Sequence, residues 1–176
     1  MSNLYKFQRK QLVQTNSNDI FDFFSNPLNL YQLTPPQYYL EIKNQHPVKL
    51  HKNLEIVFKV KISRIPLTWV SEIIDWNPKQ KSFTEKQIKG PFKHWVHKHT
   101  IHEVNKNMTE IIDNIEYSLP YGPLSEIIHR RFLKKHLQYM FTYRFQRITE
   151  IFKPFSPPRF ASQRNFSKNN SSSVKR

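Results

Sequence analysis

The chain of 176 residues has no cysteine, two glycines and one alanine. Without cysteine, neither a disulfide framework nor a thiolate metal site can staple a small core. The start, "MSNLYKFQRKQLVQT", lacks the continuous apolar stretch of a secretory signal, and no run approaches the roughly 18 apolar residues of a membrane-spanning helix. These absences predict a soluble protein without a secretion signal, cytoplasmic, or in the stroma of an organelle if organelle-encoded. No Ser-His-Asp order, phosphate-cradling glycine loop or paired-carboxylate spacing stands out, so hydrolase and nucleotide-binding classes have no motif to rest on.

What is abundant is aromatic and basic. Phe, Trp and Tyr make up 14% of the residues, enough large side chains for one sizeable core at this length. The formal net charge is +15. Clustered Lys and Arg attract phosphate, but richness in Lys, Asn, Ile, Phe and Tyr is also what an AT-rich coding sequence produces whatever the function. The excess is uneven: from Lys153 onward there are six basic residues and no acidic one. That end, "PFSPPRFASQRNFSKNNSSSVKR", is Ser-, Asn- and Pro-rich without apolar period, and buries too little to offset the entropy of ordering. The expected organisation is one domain over residues 1–153 and a disordered basic tail over 154–176, with weak membrane-surface contact through the tail as a candidate role. Nucleic acid is not an expected partner, and the oligomeric state is left open.

Alternation predicts a strand over 4–13, with Tyr5 and Phe7 on one side and Leu4, Lys6 and Gln8 on the other. "NSNDIFDFFSNP" then reads as a helix capped by Asn16 or Ser17, with Asp19 in its first turn and Pro27 as its stop. A second short helix fits "LNLYQL", ended by Pro35 and Pro36. Runs with a period of two follow at about 38–45, 53–63, 66–76, 80–89, 92–105 and 108–119, joined by short connections that favour an antiparallel meander. In the last hairpin, "VNKNMTE", any positive φ falls to Asn105 or Asn107. After "YGP" the pattern turns helical: Leu124, Ile127, Ile128, Phe132, Leu137, Met140, Phe141, Phe145, Ile148 and Phe152 trace one stripe, and Pro154 ends it. The order predicts an α+β fold, a curved antiparallel β-sheet wrapped around a long C-terminal α-helix with two short helices after the first strand. Incomplete fit between large side chains on sheet and helix leaves a cavity between them.

The stretch "GPFKHWVHKHTIHEV" holds four of the eight histidines. Its strand splits into a face with Trp95, His97, His99 and Ile101 and a face with His94, Val96, Lys98, Thr100 and His102. The first carries the large apolar groups and points inward. On the neighbouring run Thr109, Ile111, Asp113, Ile115 and Tyr117 share a face, which takes Asp113 inward. Glu85 and Gln87 share a face with Phe83, and Leu67, Ser71 and Ile73 with Trp69. A buried carboxylate needs hydrogen bonds or a charge partner, and histidine can donate to it. Two readings stay open: a satisfied core network that fixes strand register, and the polar wall of a ligand cavity. His-x-His spacing also serves zinc or iron, with Asp113 or Glu85 to complete a set. Many core pairs share that spacing, so no metal and no cofactor is assigned, and protein purified without a histidine tag is expected to carry no stoichiometric zinc or iron.

The segments "FDFFSNPLNLYQLTPP", Trp69, Ile73, Trp76 and Pro78, "FTEKQIKGPFKHWVHKH", "DNIEYSLPYGPL" and "FTYRFQRI" together resemble the START/Bet v 1-like (SRPBCC) superfamily, within it the cyclase/dehydrase-like group related to coenzyme Q-binding START domains. The resemblance runs from about residue 5 to residue 150 and implies the helix-grip fold with an elongated apolar cavity for a lipid-like, isoprenoid or polycyclic ligand. On that basis the expected function is binding or carriage of a hydrophobic small molecule. Trp69, Phe83, Trp95 and Phe141 would supply apolar wall, and Glu85, Gln87, His97, His99, Asp113 and Tyr117 would orient a polar head. The alternative is a cyclase- or dehydratase-type enzyme, with His97 or His99 as general base positioned by Asp113.

Overall fold

The structure, a computed structural model, describes residues 3–43, 49–62, 65–120 and 122–152. Strand β1 (Tyr5–Val13) leads into helix α1 (Ser17–Phe24). The Asn16 side chain accepts from the Asp19 backbone N–H, satisfying one of the free donors at the helix start. The chain leaves α1 through Ser25 and makes a tight turn over Pro27–Asn29 and one turn of helix, α2 (Leu30–Leu33). The remaining strands are β2 (Glu41–Ile42), β3 (Glu55–Ile62), β4 (Ile65–Asn77), β5 (Ser82–Lys89), β6 (His94–Asn105) and β7 (Met108–Ser118).

All seven strands form one antiparallel sheet in the order β1-β7-β6-β5-β4-β3-β2. The meander from β2 to β7 is local, and β1 pairs with the last strand, so the first and last strands of the sequence are neighbours. Helix α3 (Ser125–Ile128), a wider π-type turn (His129–Leu133) and α4 (Lys134–Ile151) make one rod against the concave face. This is the helix-grip architecture. Gln11 of β1 holds the rod by donating to the Phe145 carbonyl and the Thr149 hydroxyl, both at 3.0 Å. Phe7 packs on Phe141 with ring centroids 4.9 Å apart. Ile20, Ile73, Ile111, Ile115 and Ile148 are almost wholly buried, each stabilising the fold by about 1.5–3 kcal/mol relative to exposure.

Three expectations need correction. The run at 38–45 yields only two strand residues, because Pro36 opens a tight turn over Pro36–Tyr38 and Tyr39 takes φ 44; residues 44–45 lie outside the described part. The β6–β7 hairpin closes without a positive φ at Asn105 or Asn107: Asn105 accepts from the Asn107 N–H through its side chain, and a register shift near Glu103 and Asn105 absorbs the turn. The helical stripe is buried only in part. Leu137, Phe141 and Ile148 face the core, whereas Leu124, Ile127 and Phe132 are exposed; the wide turn at His129–Leu133, which includes Phe132, takes its own residues and those before it out of phase. Pro154 and the tail over 154–176 fall outside the described residues, as does the boundary after residue 153.

Candidate functional site

Sheet register builds the site. His97 sits directly across from Glu85 on β5, and His99 lies between Phe83 on β5 and Asp113 on β7. Because alternate residues share a face, these positions point together toward the rod. Phe83 stacks on the His99 ring at 4.3 Å, and the two imidazoles lie 3.8 Å apart.

The four side chains are tightly connected. His97 Nδ1 is 3.1 Å from Glu85 Oε1, and its Nε2 is 3.0 Å from Asp113 Oδ1. His99 Nδ1 is 2.9 Å from the same Asp113 oxygen, and its Nε2 lies 3.8 Å from Glu85 Oε1. Arg144, from α4, brings Nη2 to 3.7 Å from Asp113 and stacks its guanidinium over Phe24 and Phe141. Burial opposes ionisation of Asp113, but Arg144 and hydrogen bonds from both histidines overcome it and hold the carboxyl well below its usual range. Burial likewise opposes Glu85, and the two imidazoles pull it low. His97 is raised, since the two carboxylates outweigh its desolvation. His99 is lowered by its own burial and by the neighbouring His97 charge, which its carboxylate partners only partly offset. The set therefore gathers two ionised carboxylates and one guanidinium around two imidazoles, of which His97 holds a proton more readily than His99. The His99 Nδ1–H donates to Asp113, and its Nε2 lone pair is left on the Glu85 side.

Between the sheet and the rod lies a cavity of about 670 Å³. Of the ten residues singled out from sequence, Trp69, Phe83, Glu85, Trp95, His97, His99 and Phe141 line it. Trp69 and Trp95 meet edge to face at 5.2 Å, and the Trp69 indole N–H donates to Ser71. Asp113 stands behind the histidines. Gln87 and Tyr117 lie off the wall. Gln87 clamps the β5–β6 loop by donating to the Phe92 carbonyl and accepting from the Phe92 N–H. Tyr117 pairs with His129 at 3.0 Å. Sequence reasoning passed over Arg144, Tyr38 and His136, all on the cavity wall; Tyr38 and His136 pair with each other at 3.1 Å near the rim. The signal for Arg144 was its position, three residues after Phe141 and four before Ile148, inside the apolar stripe.

Two buried donors on the wall, Trp95 Nε1 and Arg144 Nε, have no hydrogen-bond partner among the described residues. Glu85, His97 and His99 offer one donor atom each within 4.8 Å of one another, a set that could hold a metal ion. Among the described residues no helix is long and apolar enough to cross a membrane.

No family model and no curated protein matches the sequence. Solved structures are similar in fold. The Zhui aromatase/cyclase from Streptomyces sp. R1128 superposes with a TM-score of 0.68 at 12% identity, covering 85% of this chain and 93% of its own. Truncated norcoclaurine synthase from Thalictrum flavum gives 0.65 at 13% identity, covering 88% and 97%. A major latex-like protein from Panax ginseng gives 0.60 at 12% identity, covering 86% and 99%. At 12–13% identity this likeness is one of fold.

Proposed function

We propose that the chain binds or carries a hydrophobic small molecule, a lipid, isoprenoid or polycyclic compound, in the cavity between sheet and rod. The observation that carries this reading is a void of about 670 Å³, walled largely by aromatic and aliphatic side chains, with its charged groups gathered around Glu85, His97, His99 and Arg144. Its size falls in the range of small-molecule pockets, and a few convergent polar groups in an apolar wall are what fixes a ligand's orientation. Trp95 Nε1 and Arg144 Nε each lack an acceptor. A buried donor left unpaired costs about 1–3 kcal/mol, which a ligand oxygen would recover. The ligand chemistry that fits is therefore an apolar skeleton with at least one acceptor oxygen, such as a ketone, quinone or carboxylate. The basic tail would add weak contact with an anionic membrane surface.

Native mass spectrometry after gentle extraction tests this. A retained apolar molecule is expected; a clean chain that takes up neither apolar dye nor lipid removes the reading.

One observation favours a second reading, an enzyme of cyclase or dehydratase type. His99 is neutral, is oriented by Asp113 and keeps its Nε2 lone pair on the Glu85 side of the cavity wall, the arrangement a general base needs. Structural neighbours bear the names aromatase/cyclase and norcoclaurine synthase. His99→Gln would then abolish turnover of a cyclisable substrate, whereas turnover that survives the change excludes this base.

A further inference from the structure

We propose that Glu85, His97 and His99 form a binding site for a divalent first-row transition ion of the zinc type on the cavity wall. This reverses the expectation drawn from His-x-His spacing, which could not show what stands behind the imidazoles.

Glu85 Oε1 lies 3.1 Å from His97 Nδ1 and 3.8 Å from His99 Nε2, and all three donor atoms lie within 4.8 Å of one another. Ligands about 2.0–2.2 Å from a tetrahedral ion sit roughly 3.2–3.6 Å apart, so the donor atoms must close by up to about 1.6 Å to share one. Two nitrogens and one oxygen are a donor set that borderline divalent ions accept.

The second observation is independent of the first. The ring nitrogens not offered to the ion, His97 Nε2 and His99 Nδ1, both contact Asp113 Oδ1, at 3.0 and 2.9 Å. A metal-bound imidazole commonly donates its other N–H to a carboxylate, which sets the tautomer and aims the lone pair. Here one buried carboxylate does this for two rings, and Arg144 at 3.7 Å offsets its charge. All three ligands line the cavity, which leaves the remaining coordination position open to water or to a ligand oxygen.

The site does not depend on the cargo reading, and its test uses the metal alone. Untagged full-length chain is stripped with chelator and titrated with Co²⁺. One equivalent should bind with visible ligand-field bands of four- or five-coordinate cobalt, and one equivalent of Zn²⁺ should displace it. Glu85→Gln and His99→Asn should each weaken binding at least tenfold and bleach the bands. Asp113→Asn, a positioning change, should weaken binding by roughly 10–100-fold. His102→Asn, on the exposed face of β6, should bind as the parent does. Circular dichroism separates loss of binding from loss of fold. The proposal is overturned if the parent binds no stoichiometric Co²⁺ or binds it without visible bands. It is overturned equally if folded Glu85→Gln and His99→Asn titrate like the parent, which would assign the ion to surface histidines.

Discussion

Arg144 Nη2 lies 3.7 Å from Asp113 Oδ1, with both side chains nearly buried, so one ion pair ties the rod to the centre of the sheet. Removing one member of a buried pair strands the other charge. Arg144→Met should therefore destabilise the chain by about 3–5 kcal/mol, read as a fall in the urea midpoint at unchanged slope. The double change Arg144→Met with Asp113→Asn should cost less than the sum of the single changes by about 0.5–3 kcal/mol, the coupling expected of groups in contact. Strict additivity would show that the two side chains do not interact.

The rod's two halves should respond differently to truncation. Phe141 is 3% exposed and Ile148 1%, whereas Phe132 is 61% exposed. Phe141→Ala should cost about 3–5 kcal/mol and Ile148→Ala about 2–5 kcal/mol. Phe132→Ala should stay within about 0.5 kcal/mol, as surface changes do. A large loss at Phe132 would mean that the segment before α4 packs on the core after all.

Much of this arrangement was legible in the sequence, for a geometric reason. A strand's side-chain period is two whatever path the strand takes, so alternation alone put His97, His99 and Asp113 on inward faces. Register was not legible, because pairing of Glu85 with His97 and of His99 with Asp113 depends on hairpin lengths and bulges. Arg144 was missed because a cation in an apolar stripe reads as a solvated interruption until its buried partner on another strand is known. Phe132 reads as inward from the sequence because a straight 3.6-residue period carries no sign of the wide turn that contains it. Gln87 shared a face with Phe83 and Glu85, yet its amide was taken up by the Phe92 backbone, a local demand that alternation cannot register.

That local demand involves Gly90. A Cβ built there would lie 2.6 Å from Gln87 Cδ and collide with its Oε1 as well. Gly90→Ala should therefore displace the Gln87 clamp and cost about 1–3 kcal/mol, the scale of losing a part-buried hydrogen-bonding group. Gln87→Ala removes the same bonds to Phe92. The two changes together should cost much less than their sum, because neither clash nor clamp remains to lose. Thermal unfolding of the four proteins checks this, and full additivity would refute the clamp.

The unpaired indole N–H of Trp95 makes a ligand-side prediction. Trp95→Phe keeps the aromatic wall and deletes the donor. A ketone-bearing polycycle should bind the parent roughly tenfold more tightly than the hydrocarbon of the same skeleton, the worth of about one hydrogen bond. That preference should fall in the variant while hydrocarbon affinity holds. Equal loss for both ligands would assign Trp95 to packing only.

A pH effect follows from the far end of the sheet. His129 stacks on Tyr5 with centroids 3.8 Å apart and pairs through Nε2 with the Tyr117 hydroxyl. Burial first, then Lys134 and Arg130, lower its affinity for a proton, and Glu126 opposes them only in part. The folded chain thus disfavours protonation that the unfolded chain accepts near pH 6.5. The stability this contributes is present above the unfolded value and is lost as pH falls through it toward the lower folded value. Comparing His129→Gln with the parent isolates the effect from the other histidines: the parent should lose stability more steeply below about pH 6.5, and the difference in slope should vanish by about pH 8. An NMR titration should place the His129 midpoint below that of an ordinary histidine. A midpoint at or above the ordinary value, or matching pH slopes in both proteins, would show that the Tyr5–His129–Tyr117 contact does not hold the start of the rod to the sheet.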